Sequence, residues 1–231
     1  MEKLKNSFVI VIPVYNCEEY IHRSFYSVVS QVFPDLGVII RDDQSTDSTP
    51  FILEQILGID GITEFYTKFH GKDVLFIRNQ HKFYGGGNTY DSARNYISNR
   101  SAIVGVVDGD DWLTDAEAAA KIFDVYASRK VWQVWSQHQA NSLALVGRSG
   151  FSSELPDDLR IYQDRNYWSV SHFRTCLAWL YDYVREEDLY DPFERKPFCK
   201  FAADAANIYP ISELCGKAKS FFFRRSSVFL Q

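Results

Sequence analysis

The stretch "AIVGVVDGDDWLTD", residues 102–115, changes character at a single position: an apolar run ends at Val107, and Asp108, Asp110 and Asp111 follow with only Gly109 between them. Short, β-branched, nearly continuous apolar runs are how strands buried on both faces read. Three carboxylates within four positions repel one another unless something positive sits among them. In an open parallel sheet, ligands bind beyond the carboxyl ends of the strands. The turn after Val107 therefore combines a position suited to a ligand with a charge that calls for a cation.

Working outward, "FVIVIPV" (8–14), "GVIIRDD" (37–43) and "VLFIRN" (74–79) have the same strand character. Helix-like stretches separate them at 18–31, 48–58, 88–99 and 114–128. Asp47 or Ser48 is placed to cap the second of these, Asn88 the third, and Thr114 the fourth with Glu117 completing a capping box. The alternation predicts an α/β fold with a mostly parallel sheet flanked by helices. Beyond residue 130 the pattern loosens. "VWQVWSQ" (131–137) and "SLALVG" (142–147) read as strands, 148–166 as a polar loop, and 172–187 and 202–214 as helices. No repeat or low-complexity linker divides the chain. One domain over 1–231 is expected, with a nucleotide-binding half (1–130) and an acceptor-side half (131–231). The final "SFFFRRSSVFLQ" has no clear stop, as in a segment taken from a longer protein.

Composition narrows the function classes. The 231 residues are 46% hydrophobic and 16% aromatic, enough for a sizeable core. A net charge of −5 with scattered basic residues argues against nucleic acid as a partner. No apolar run reaches the about 18 residues of a membrane span. The N-terminal apolar run is too short for a signal peptide. Cys17, Cys176, Cys199 and Cys215 form no CxxC pair, so neither zinc nor a disulfide framework is expected, and a reducing, cytoplasmic location is. "NRS" at Asn99 fits a glycosylation sequon of the kind that arises by chance.

Three strand ends offer polar groups to one crevice: Tyr15 and Asn16 after the first, Asp42 and Asp43 after the second, and Asp108, Asp110 and Asp111 after the fourth. Carboxylates with water suit hard cations, Mg²⁺ or Mn²⁺, which often leave coordination sites for substrate phosphates. A cation carrying a diphosphate would answer the repulsion among the acids. The alternative is that Asp110 and Asp111 only begin a turn and cap the following helix.

"VIPVYNCEEYIHRSFYSVVSQ", "IIRDDQSTDST", "ARN" and "VVDGDDW", in this order, resemble a family 2 glycosyltransferase of the GT-A fold. The resemblance is strong over residues 8–125 and weak beyond. It implies a metal-dependent enzyme that moves a sugar from a UDP-sugar to an acceptor hydroxyl, with inversion. Pro13, Tyr15, Asn16 and Glu18 match the segment shaping the nucleoside pocket. Asp43, with Asp42 beside it, matches the acid that binds uracil. A carboxylate accepting from the base N–H would select uridine, since cytidine has no proton on that nitrogen. Asp108 and Asp110 match the D-x-D acids, Asp110 as direct metal ligand and Asp108 nearer the ribose; Asp111 is placed to touch metal or donor sugar. Arg94 either supports the nucleotide crevice or pairs with an acid on the sheet edge.

The sequence departs from the family pattern in "FYGGGNTYDSARN", where Gly87 stands six residues before Ala93. Gly85–Gly87 would let backbone amides approach a phosphate ahead of a helix starting near Asn88, or form a flexible turn. "FAADAANIYPISELCG" resembles the late helix that carries the family's base, which places Asp204 in that role; a helix cap is the plainer reading. His172 and Arg174 in "WSVSHFRT" resemble a segment beside the donor sugar or acceptor, and Arg174 could clamp a diphosphate. Two rival functions are a metal-dependent nucleotidyltransferase, which would normally carry a basic Gly-rich loop where "YNCEEY" stands, and a non-catalytic nucleotide-sugar-binding module. The acceptor, whether glycan, lipid or protein, and the oligomeric state stay open.

Overall fold

The structure, a computed structural model, describes residues 2–140, 153–156, 170–190, 198 and 203–230, with the side chains at 139–140, 203–204 and 224–230 outside that description. The expected strand at 142–147 and most of the expected loop at 148–166 lie outside the described residues.

Strand β1 (Phe8–Val14) is buried along its whole length. It lies at the centre of the sheet, parallel to β2 (Leu36–Asp42) on one side and to β5 (Ile103–Val106) on the other. Beyond β2 comes β4 (Lys72–Arg78), also parallel. These are the four runs read from the sequence, each within a few residues of its expected bounds. Their faces bury two apolar layers: Phe8, Ile10 and Ile12 point to one, Val9 and Val11 to the other. Helices α1 (Ile21–Val29), α2 (Thr49–Leu57) and α4 (Ala118–Arg129) fall inside the helical stretches expected for them or run one residue past them.

Two features differ from expectation in the first half. Strand β3 (Glu64–Phe69) pairs antiparallel with β4 and forms the sheet edge. Its residues alternate in exposure, and His70 and Gly71, both at positive φ, turn the chain between the two strands. Helix α3 (Tyr84–Asp91) starts four residues before Asn88, continues as one π-helical turn over Ser92–Tyr96, and contains the three glycines. Its starting signal is not local. The Asp43 carboxylate, at the end of β2, accepts the amides of Phe83 at 2.8 Å and Tyr84 at 2.9 Å and so caps α3 from forty residues upstream.

In the second half, strand β7 (Gln133–Ala140) agrees with expectation, as does helix α5 (Ala203–Cys215). The helix expected over 172–187 is absent. Strand β8 (Arg174–Leu177) runs antiparallel to both β5 and β7, and short 3₁₀ turns follow at Ala178–Asp182 and Glu186–Leu189. Pairing with two neighbours overrides the helix-like spacing of Leu177, Leu180, Tyr181 and Val184; Leu177 ends β8, and the side chains of Leu180, Tyr181 and Val184 are buried beyond it. Strand β9 (Ser220–Leu230) pairs with β7 and with the short β6 (Trp112–Leu113), completing the order β3-β4-β2-β1-β5-β8-β7-β9-β6. The result is a mixed sheet with a parallel centre. Among the described residues, no helix is long and apolar enough to cross a membrane.

Candidate active site

The strand ends of β1, β2 and β5 open into one cleft of about 480 Å³. Pro13, Tyr15, Asp43, Asp108 and Asp110 line it, joined by Lys82, Tyr84, Gly85 and Asn88 from the start of α3. The D-G-D turn reaches β1 because Gly109 has no side chain. Its amide donates to the Pro13 carbonyl at 3.0 Å, and a Cβ there would lie 3.1 Å from Cys17 Sγ and 3.2 Å from that same carbonyl.

Two expected pocket residues act as fasteners. Asn16, at φ 53°, accepts the Thr46 amide on its side-chain oxygen at 2.8 Å, and its own amide donates to Ser45 Oγ at 3.0 Å. Glu18 accepts the Ser48 amide at 2.8 Å while Asp47 accepts the Glu18 amide at 3.1 Å. Asp47 also accepts the Thr49 amide, the first of α2, from the residue before the N-cap Ser48. Desolvation opposes ionisation of Asp47, but these hydrogen bonds outweigh it and hold its carboxyl low. Together the contacts tie the β1 and β2 exit loops into one rim. Tyr15 stays half exposed on that rim, with Lys82 Nζ 3.1 Å from its ring centroid.

The adjacent acids Asp42 and Asp43 point different ways, as strand neighbours must. Asp42 is fully buried, accepts the Ser45 amide at 3.1 Å and faces Arg78 Nε at 3.3 Å. Asp43 faces the cleft and holds the start of α3. Arg94 is exposed on the π turn, bonded to the Tyr90 hydroxyl. The glycines serve packing as much as access. A Cβ on Gly87 would lie 2.6 Å from the Phe198 ring, and the Gly86 carbonyl accepts Asn207 Nδ2 of α5 at 2.7 Å.

The groups that face the acids come from the first residue of β8 and the segment leading into it. His172 Nε2 lies 3.7 Å from Asp108 and His172 Nδ1 3.7 Å from Asp111; Arg174 Nη2 lies 3.7 Å from Asp108. Arg174 Nη1 also touches the His172 ring, 3.1 Å from Nε2. Phe173, between them, is fully buried and stacks on Phe8, and only a glycine at 105 leaves it room: a Cβ there would lie 2.7 Å from its ring. Burial first, then the Arg174 charge, holds His172 well below the ordinary histidine range, so its ring is neutral. One ligand atom each from Asp108, Asp111 and His172 lies within 4.8 Å of the others. Two carboxylate oxygens and a neutral imidazole fit Mn²⁺ or another divalent cation. The third member of this group from the turn is Asp111 rather than Asp110, which is exposed in the cleft. Asp204 lies in the first turn of α5, and its side chain is outside the described residues.

The cleft residues Lys82, Tyr84 and Asn88 belong to none of the sequence motifs that mark the site. Lys82 has a usable signal, as the one lysine or arginine between the β4 exit and the glycine run.

A strand-end cleft on a parallel centre, with a D-G-D turn facing a partly buried histidine, has the GT-A architecture. The chain resembles Staphylococcus aureus TarS 1–349, solved with UDP-GlcNAc, at a TM-score of 0.68 and 18% identity, over 96% of this chain and 58% of that one. It also resembles the mannosyltransferase PcManGT of Pyrobaculum calidifontis, solved with GDP-Man and Mn²⁺, at 0.60 and 14%, over 99% and 58%. The chain belongs to glycosyl transferase family 2, whose model matches residues 9–186. Chondroitin synthase of Escherichia coli is 38% identical over 104 residues, which are 45% of this chain and only 13% of that protein.

Proposed function

We propose that the chain transfers a sugar from a UDP-sugar to an acceptor hydroxyl, with inversion at the anomeric carbon and with the help of Mn²⁺ or Mg²⁺. The observation that carries this reading is the position of Asp108. Its side chain lines the nucleotide-sized cleft and also belongs to the group with Asp111 and His172. A cation held by those three would sit at the cleft wall, and when bound it would supply positive charge to the diphosphate and the departing UDP. TarS binds UDP-GlcNAc and PcManGT binds GDP-Man with Mn²⁺, which favours a nucleotide-sugar donor.

The chain's own residues divide the remaining work. Tyr15 offers an exposed ring face to the base, and Asp43 offers a carboxylate oxygen to its N–H. Arg174, fixed between Asp108 and the His172 ring, adds a permanent cation beside the phosphates. Asp110 faces the donor from the cleft. Asp204 is the base. As the acceptor oxygen bonds to the anomeric carbon and the bond to the UDP oxygen breaks, the acceptor's proton passes to its carboxylate. Asn207, one turn further along α5, donates to the Gly86 carbonyl and so joins α5 to α3.

Calorimetry tests the reading directly. UDP should bind in the presence of Mn²⁺, and chelation or Asp108→Ala should remove most of that affinity. Unchanged UDP binding in folded Asp108→Ala would remove the metal from the mechanism.

A further inference from the structure

We infer that Arg41 is a positioning residue for base recognition: it fixes the carboxamide of Asn79 and, through it, the face of Asp43 left open to the donor's base. The inference rests on the UDP-sugar reading above.

Arg41 precedes Asp43 by two residues at the end of β2, so both side chains leave the same side of the strand. Its side chain is 2% exposed, with the guanidinium 5.2 Å from the Phe83 ring centroid and 5.4 Å from that of Tyr96. Nη1 meets Asp91 Oδ2 at 2.5 Å, and Nε donates to Asn79 Oδ1 at 3.0 Å. A guanidinium can only donate. The oxygen of Asn79 must therefore face Arg41, and its NH₂ must face away. On that far side Asn79 Nδ2 donates to Asp43 Oδ1 at 2.7 Å and to Asn88 Oδ1 at 2.6 Å. A flipped amide would set NH₂ against the guanidinium and oxygen against a carboxylate. The donor-only chemistry of the guanidinium decides this orientation.

The consequence falls on Asp43. Its Oδ1 is filled by Asn79 and by the Phe83 amide, and its Oδ2 holds the Tyr84 amide. A carboxylate accepts about four hydrogen bonds. Among the described residues one acceptor site thus remains, on Oδ2 of a side chain that lines the cleft. A base presenting an N–H there completes the set. A base presenting a lone pair is repelled. The series Asp91–Arg41–Asn79–Asp43 therefore sets the preference for uridine, with N3–H, over cytidine, whose N3 is bare.

Calorimetry with UDP and with CDP, both with Mn²⁺, tests this on the full chain. The unmodified protein should prefer UDP. Arg41→Met and Asn79→Ser should each lower the UDP-to-CDP affinity ratio by about tenfold, the worth of one hydrogen bond to a charged group. The loss should fall on UDP, with CDP affinity held within about twofold. A role confined to stability would weaken both nucleotides together and leave the ratio alone. If Arg41→Met does not fold, Asn79→Ser decides. A preference that survives in folded Asn79→Ser overturns the inference and leaves the donor reading standing. An unmodified protein without preference for UDP overturns both.

Discussion

The two acidic clusters at the strand ends are built in opposite ways. Asp43 is surrounded by donors that the protein supplies: two backbone amides and the Asn79 carboxamide, with one acceptor site left over. Asp108 and Asp111 instead face His172 and Arg174 across gaps of 3.7 Å, too long for hydrogen bonds. The first cluster is a finished acceptor, set before any ligand arrives. The second brings two carboxylates and an imidazole within reach of a single cation. The difference separates recognition of a base from handling of a diphosphate, and each can be disturbed without the other.

The largest effect should come from a residue outside both clusters. Asp204→Asn should lower sugar transfer by about 10²- to 10⁴-fold, the usual worth of a general base. Affinity for UDP with Mn²⁺, measured by calorimetry, should stay unchanged. A variant that transfers at the normal rate would return Asp204 to a capping role. Next comes the second cluster alone. His172→Gln removes one of the three groups that would hold the cation and should lower the affinity for Mn²⁺ by at least about 10- to 100-fold, the loss that follows from disturbing even the support of a ligand. It should leave metal-free UDP binding intact, because the Asp43 side of the cleft is untouched. Titrating Mn²⁺ against UDP binding reads both quantities. Equal losses with and without metal would show that the two clusters are not separable.

That separation also explains what could be read from the sequence. The strands at 8–14, 37–43, 74–79 and 102–108 are legible because burial on both faces leaves a continuous apolar run that needs no partner to be recognised. The acids are legible because they terminate those runs. The partners of the acids are harder to find. The start of α3 is capped by Asp43, not by its own neighbours, so a search for a local cap settles on Asn88. The local pattern puts His172 and Arg174 at a helix start, whereas Arg174 opens β8 and His172 leads into it, a strand that exists because β5 and β7 both offer it an edge. No window around residue 174 contains that information. Asp110 and Asp111 depend on the same kind of information: only the position of His172 shows which of the two acids it faces.

Gly87 sharpens the comparison from the side of packing. If the glycine run existed to admit a phosphate, a methyl group at Gly87 would act on ligand affinity. If it exists to let Phe198 lie against α3, the same methyl group would act on stability, since its Cβ would sit 2.6 Å from that ring. Gly87→Ala should lower unfolding stability by about 1–3 kcal/mol, the range for overpacking. Chemical denaturation would measure it. Gly85, where a Cβ meets nothing within 4 Å, should tolerate alanine, so that Gly85→Ala serves as the matched control.

The smallest effect concerns a carboxylate that belongs to neither cluster. Asp73 opens β4 at the opposite end of the strands, where Lys68 Nζ donates to it at 2.7 Å, Asn6 Nδ2 at 2.9 Å, and the Tyr66 hydroxyl also bonds it. Burial resists its ionisation, but the donors from Lys68, Tyr66 and Asn6 outweigh burial and hold its carboxyl below the ordinary value of 3.8. A carboxyl lowered on folding adds stability that is complete above its unfolded value and is lost as pH falls through its folded one. Asp73→Asn should therefore reduce stability at neutral pH slightly and flatten the fall of the denaturation midpoint below about pH 4. UDP binding should not change at any pH where the protein is folded. A shift in nucleotide affinity in this variant would mean that the far end of β4 communicates with Asn79 at its exit, and the independence of recognition from the rest of the sheet would fail.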